Sequence, residues 1–200
     1  GAEYTFVEQS FGAIISIGIG ATGLMGLPLA LADYRYKKVL KRFLVTPVSP
    51  AMLLFVQFIV NLFIAVVCFL LVYLVYTLFF GYHMRGSVSQ FLLAYFLVIL
   101  SIYSIGMLVA SVSPNIKTAN ILCCIVYFPM FFFSGATLPY EIMPGVMQNA
   151  SDFLPLTQGI KLLKATSLGL PLENVTFSIL LMILLAVVCI ALSIRFFRWE

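Results

Sequence analysis

Residues 33–50 read DYRYKKVLKRFLVTPVSP, and the rest of the chain takes its meaning from this passage. Arg35, Lys37, Lys38, Lys41 and Arg42 place five cations within eight residues, out of 11 Lys and Arg in all. At about 100° per residue, Tyr36, Val39, Leu40, Phe43 and Leu44 gather on one side of a helix and the cations on the other. Pro47 and Pro50 end that helix, because a proline has no amide donor and restricts the residue before it. The pattern predicts a basic amphipathic helix over residues 34–46, set between two long apolar stretches. Two roles suit it. It can lie on an anionic lipid surface, apolar face down and cations among the headgroups. It can equally insert into a partner protein on the cytoplasmic side.

The flanking composition fixes the solvent. The 200 residues are 63% hydrophobic and 9% charged, whereas soluble domains run near 45–50% apolar and about 25% charged. A chain of this kind buries its apolar surface in a bilayer. The net charge of +4 reports topology rather than nucleic-acid binding, since the cations sit beside apolar spans and not in a patch interleaved with aromatics. Cys68, Cys123, Cys124 and Cys189 each lie inside an apolar run and read as small hydrophobes. Their spacing makes neither a disulfide framework nor a metal site. His83, the sole histidine, reads as a solvated loop residue.

Apolar length predicts an all-α membrane protein with five spans, at about residues 11–32, 51–80, 90–112, 118–134 and 175–197. The first span is rich in small residues and contains Gly18, Gly20 and Gly23 in G-x-G-x-x-G spacing. That fingerprint needs a strand before it and a βαβ unit around it, so the glycines read instead as surfaces for close helix packing. Pro28 is expected to kink this span near its cytoplasmic end. Gln57 and Asn61, inside the second span, mark a face turned toward other helices or a cavity. Residues 134–172 are broken by prolines and glycines. Segments 138–150 and 156–168 are each too short to cross and read as interfacial or re-entrant helices on the outer side.

Orientation follows from Lys and Arg. With the basic helix inside, Lys117, Arg195 and Arg198 share its side, while Arg85, Lys161 and Lys164 lie outside. The C-terminus is then cytoplasmic, in a cell membrane that the bacterial plasma membrane exemplifies.

The run into Leu44–Ser49, LVTPVS, resembles the cytoplasmic segment of ABC type-2 exporter permeases. Residues 131–164, FFFSGATLPYEIMPGVMQNASDFLPLTQGIKLLK, resemble the outer signature region of the same family. Asp33 and Arg35 stand where the family has Glu-Arg, and Leu154 stands where Asn is usual. The resemblance covers nearly the whole chain and the order of its spans. It implies six spans with a cytoplasmic N-terminus, so a first span is expected to precede the five seen here.

The chain carries no G-x-x-x-x-G-K-[ST] and no nucleophile with a credible base, so it is not read as a catalyst. The resemblance implies a permease that pairs with a second permease copy and with separate cytoplasmic ATPase subunits, which hold the ATP and Mg. It implies a coupling interface of Asp33, Tyr34, Arg35, Lys38, Val39, Arg42, Phe43 and Leu44, with Phe43 and Leu44 as an apolar knob. It also implies a translocation path between two permeases, for which Gly20, Gly23, Gln57, Asn61, Ser101, Ser104, Phe132 and Ser134 are the candidates; helix-packing glue is the competing role for each. The expected cargo is amphipathic (a drug, antibiotic, lipid or glycan), and the coupling segment leans toward the drug-exporter branch. A non-transporting immunity or scaffold protein stays open as an alternative. An ion-coupled carrier would need a mid-span ionisable residue, and none is present in the spans.

Overall fold

The computed structural model describes residues 6–43, 45–135, 137 and 144–197. Among these residues the chain is helical throughout, with no strand. Helix α1 (Phe6–Gly20) runs through a π-helical turn (Ala21–Gly26) into α2 (Leu27–Tyr36), and the three form one continuous apolar helix of 31 residues. A five-residue α3 (Val39–Phe43) follows. Then come α4 (Pro50–Phe80), α5 (Val88–Val112), α6 (Ile116–Phe133), α7 (Gly145–Asp152), α8 (Pro155–Leu168) and α9 (Thr176–Arg195). Five helices are long and apolar enough to cross a membrane: Phe6–Tyr36, Ala51–Phe80, Val88–Val112, Ile116–Phe133 and Thr176–Arg195. The chain is a membrane protein of five candidate spans.

Local chemistry sets the ends. The Ser49 side chain accepts the Met52 amide at 3.2 Å and Pro50 opens α4, the arrangement in which a missing amide costs nothing. Asn115 does the same for α6, accepting the Thr118 amide at 2.8 Å. Gly81, at φ 60, closes α4, and Gly169, at φ 72, closes α8; both supply the left-handed residue that a helix end favours.

Helix α5 is the axis of the bundle. Its inward face, from Phe91 through Val98, Ile99, Ile102 and Tyr103 to Ala110, is buried. It packs most extensively against α9, then against α8, α2 and the π segment. Helix α1 lies along α8, so tightly that a side chain at Gly12 would meet the backbone of Lys164 at 2.9 Å. Helix α4 stands apart, with most of its circumference exposed, as a lipid-facing wall would be.

The structure corrects two expectations. The helix expected over residues 34–46 is not one element. The first span continues to Tyr36, Lys37 closes it, and Lys38 turns through a left-handed φ of 58° before α3 begins. The cause is Arg35, whose side chain is drawn into the bundle, so the cations do not share one surface. Second, the kink assigned to Pro28 is a widened turn just before it. Proline can neither donate to the carbonyl four residues back nor avoid crowding it. The π turn relieves this register, with the Leu27 amide bonding five residues back to the Thr22 carbonyl. Of the two short helices expected on the outer side, α8 is almost wholly buried and α7 begins at Gly145; residues 138–143 lie outside the described residues.

Candidate functional site

The basic end of the molecule is built from the last turn of α2, the turn after it and α3. Asp33 and Lys37 form an i,i+4 ion pair at 2.7 Å, in the acid-first order that suits a helix. That partner raises the Lys37 amine above its ordinary range. Tyr34, Tyr36, Lys38, Lys41 and Arg42 are exposed and Val39 is half-buried. The Phe43 side chain and all of Leu44, the expected apolar knob, lie outside the described residues.

Arg35 behaves differently. It is 7% exposed, and its Nη1 donates to the carbonyls of Ala110 at 2.5 Å and Ser113 at 2.6 Å. Its guanidinium also sits 5.4 Å from the centre of the Phe197 ring, within cation–π reach. The reason lies 75 residues downstream in sequence. Ala110 is in the last turn of α5, where carbonyls lack helical partners and carry the negative end of the helix dipole. The amide that would reach Ala110 from four residues on belongs to Pro114, which has none. Arg35 supplies the missing donor and the complementary charge together. It therefore belongs to the framework under the expected coupling surface rather than to that surface.

Within the chain, the eight candidate path residues sit at several separate helix contacts. Gly23 and Gly106 bring two helices into backbone contact: a side chain at Gly106 would fall 1.9 Å from the Gly23 carbonyl oxygen, and one at Gly23 would fall 2.3 Å from the Tyr103 ring. Gly20 faces Tyr127 and Leu156. Asn61 donates to the Gln57 carbonyl at 2.9 Å, and its own carbonyl accepts from the Tyr103 hydroxyl at 3.0 Å. That hydroxyl also pairs with Thr22 Oγ1 at 2.8 Å, closing a buried polar junction of the first span, α4 and α5. Ser101 donates to the Met182 carbonyl at 2.6 Å, fastening α5 to α9, and Ser104 donates to Ser101 within α5. Ser134 is buried and donates to Phe131 at 2.8 Å, while Phe132 faces outward, half exposed.

An apolar cavity of about 350 Å³ does open at the basic end, between α4, α5 and α9. Ala51, Leu54, Phe58, Met107, Ile190 and Ile194 are among its walls. None of the candidate path residues lines it. Tyr103, Thr22 and the Arg35–Pro114 relationship were absent from the expected site. The only trace of the last in the sequence is a proline two residues beyond the end of an apolar span. At the opposite end, Arg85 Nε pairs with Glu8 at 2.7 Å and the Gly86 amide donates to the Ser167 carbonyl at 3.1 Å, seating the α4–α5 loop on α8. His83 is exposed in that loop.

Comparison with known proteins agrees with this architecture. The chain is 34% identical over 97 residues to nodulation protein J of Rhizobium leguminosarum bv. viciae, covering 48% of this chain and 35% of that protein. It is 32% identical over 99 residues to nodulation protein J of Rhizobium meliloti, covering 50% and 38%. The inner membrane transport permease YhhJ of Escherichia coli is 27% identical over 85 residues, 42% of this chain and 23% of that protein. The matched stretch thus spans little more than a third of these relatives at most. No solved structure matches. The profile described as ABC-2 family transporter protein matches residues 2–195, and with that coverage the chain belongs to the ABC-2 family of transporter permeases.

Proposed function

We propose that this chain forms the membrane-spanning permease part of an ATP-binding-cassette exporter. It moves an amphipathic substrate out of the cell with energy from ATP hydrolysis on separate cytoplasmic ATPase subunits. ATP and Mg belong to those subunits, and two permease copies enclose the path. The basic end faces the cytoplasm, because most cations of the chain collect there.

One observation carries the reading: the exposed cations Lys38, Lys41 and Arg42 project from a short turn-and-helix unit whose root, Arg35, is fixed inside the bundle. A lever needs such a hard root and an accessible tip, so that a partner's two states are felt differently by the spans. The apolar cavity between α4, α5 and α9 opens at the same end, and its lining suits an apolar portion of a substrate.

The test is a photocrosslinker on Lys41→Cys, in a background without Cys68, Cys123, Cys124 and Cys189, in membranes from cells that also make the candidate partner ATPase. A nucleotide-sensitive adduct of permease plus ATPase is expected. Labelling by lipid alone, unchanged by the ATPase, would identify the basic unit as a surface anchor and end the coupling reading.

A further inference from the structure

We infer that Arg35 is a positioning residue of the coupling step: it clamps the root of the basic unit to the α5–α6 turn, so that force on the unit moves these elements as one body. The inference rests on the coupling reading above and adds the route by which motion enters the bundle.

Three observations converge. Arg35 is the last residue but one of the 31-residue first helix, yet it is buried at 7% exposure. Its two acceptors, Ala110 and Ser113, flank the end of α5 and precede the turn into α6. Pro114 removes the amide that would otherwise serve Ala110, and the Ala110 carbonyl takes a donor from another helix instead. Both hydrogen bonds leave the one Nη1, which a lysine ammonium could imitate, but a lysine has no planar cation to set against the Phe197 ring. Phe197, near the C-terminal end of the described chain, stacks against the same guanidinium and brings the segment after α9 into the joint.

On the other side of the clamp the backbone is made to turn. Lys38 sits at φ 58, a conformation that costs a non-glycine residue and persists where the surroundings enforce it. The clamp holds α2 on one side of this turn while α3 projects on the other. Higher up the same helix, the π turn over Ala21–Gly26 interrupts the regular register, and π turns of this kind occur at functional positions of helices. The half-helix below it, α2, is the piece that Arg35 ties to α5.

The proposal is tested in the reconstituted permease–ATPase complex, with spin labels on Tyr36→Cys at the root and Lys117→Cys at the start of α6. Their separation is measured without nucleotide and in the ATP–vanadate state. The clamp predicts one narrow distance common to both states. Arg35→Gln should then broaden that distance or shift it by about a helical turn, near 5 Å, on trapping, while the Lys41→Cys adduct with the ATPase persists. Arg35→Lys, which keeps a donor cation but loses the guanidinium plane against Phe197, should fall between the native residue and Arg35→Gln. Because Arg35→Gln strands a buried carbonyl, Arg35→Gln/Pro114→Ala is made alongside it: without the proline, Ser113 is free to leave its extended conformation and let the new amide reach Ala110, but no tie to α2 is restored. The double variant should regain thermal stability and still lose the common distance. The proposal is overturned if the unmutated pair already shifts by a turn between states, or if the double variant restores the narrow distance, since Arg35 would then only satisfy a carbonyl. Loss of the Lys41→Cys adduct from the unmutated complex would instead sink the coupling reading itself, whatever the distances show.

Discussion

Replacing Gly106 by alanine puts one methyl group where two helix backbones already touch. The added Cβ would lie 1.9 Å from the Gly23 carbonyl oxygen and 2.9 Å from its carbon. Carbon–oxygen contacts between packed helices settle near 3.3–3.6 Å, so α5 and the π turn must part by more than about 1 Å. Neither obstacle is a side chain that can swing away. Overpacking a filled core costs about 1–3 kcal/mol, and a backbone obstacle belongs at the upper end. Alanine recovers about 1 kcal/mol through its better helix propensity. The net loss is then about 2 kcal/mol, a fall in midpoint of roughly 4–8 °C for a chain of this size. The assay is survival of the monodisperse peak in fluorescence-detected size exclusion after heating. Gly18→Ala is the matched control: it makes the same chemical change in the same bundle, with nothing within 4 Å of the new methyl, and should hold or gain a degree or two. If Gly106→Ala melted at or above Gly18→Ala, the packing described here between the first span and α5 would be wrong.

Tyr103→Phe removes the hydroxyl shared by Thr22 and the Asn61 carbonyl and keeps the ring. It should cost about 1 kcal/mol and speed amide exchange across Ala21–Gly26, read by mass spectrometry; unchanged exchange would refute the junction's hold on the π turn. In Gly86→Ala the new methyl would fall 1.8 Å from the Thr166 carbonyl oxygen, which should lift the α4–α5 loop from α8. A cysteine at Tyr82, 3% exposed in the native chain, should then react several-fold faster with an impermeant maleimide. Burial of Tyr82 in that loop pushes its phenol from 10.0 up to about 12. A raised folded-state value means that its contribution is whole below pH 10 and fades as pH climbs toward 12, so Tyr82→Phe should flatten the alkaline limb of a stability profile over that window. An unaltered limb would place the alkaline sensitivity elsewhere.

The spans were legible because a bilayer reads only apolar length, and Ala51–Phe80 or Val88–Val112 differ from their sequence estimates by a residue or two at most. Their ends were legible where a single side chain decides them, as Ser49 and Asn115 do. What the helical wheel around Asp33–Thr46 could not show was Arg35. Amphipathicity sorts residues by their own helix, and Arg35 is claimed by a different one, through a proline 79 positions away. The polar candidates are hard to sort for a related reason. A serine in a span looks the same in sequence whether it lines a passage or bonds a neighbouring backbone, and Ser101 on the Met182 carbonyl does the second. The glycines of the first span were read correctly as packing surfaces at Gly20 and Gly23, whereas Gly18 has open space around it; composition cannot say which glycine of a stripe faces a partner.

The seating of Gly12 against the backbone of Lys164 has a consequence for how the chain is made. These residues are roughly 150 positions apart, which at about 5–20 residues per second leaves the first span waiting some 8 to 30 s for the helix that fits its glycine face. Until α8 arrives, the glycine face lacks the backbone it fits, although Arg85, made about 70 residues before α8 begins, is already there to meet Glu8. The first span is also the longest-waiting and, with its π turn, the least regular of the five. Membrane quality control that samples unpaired helices thus has a window fixed by translation speed, and slowing the ribosome between α5 and α8 would lengthen it without altering a single contact in the finished protein.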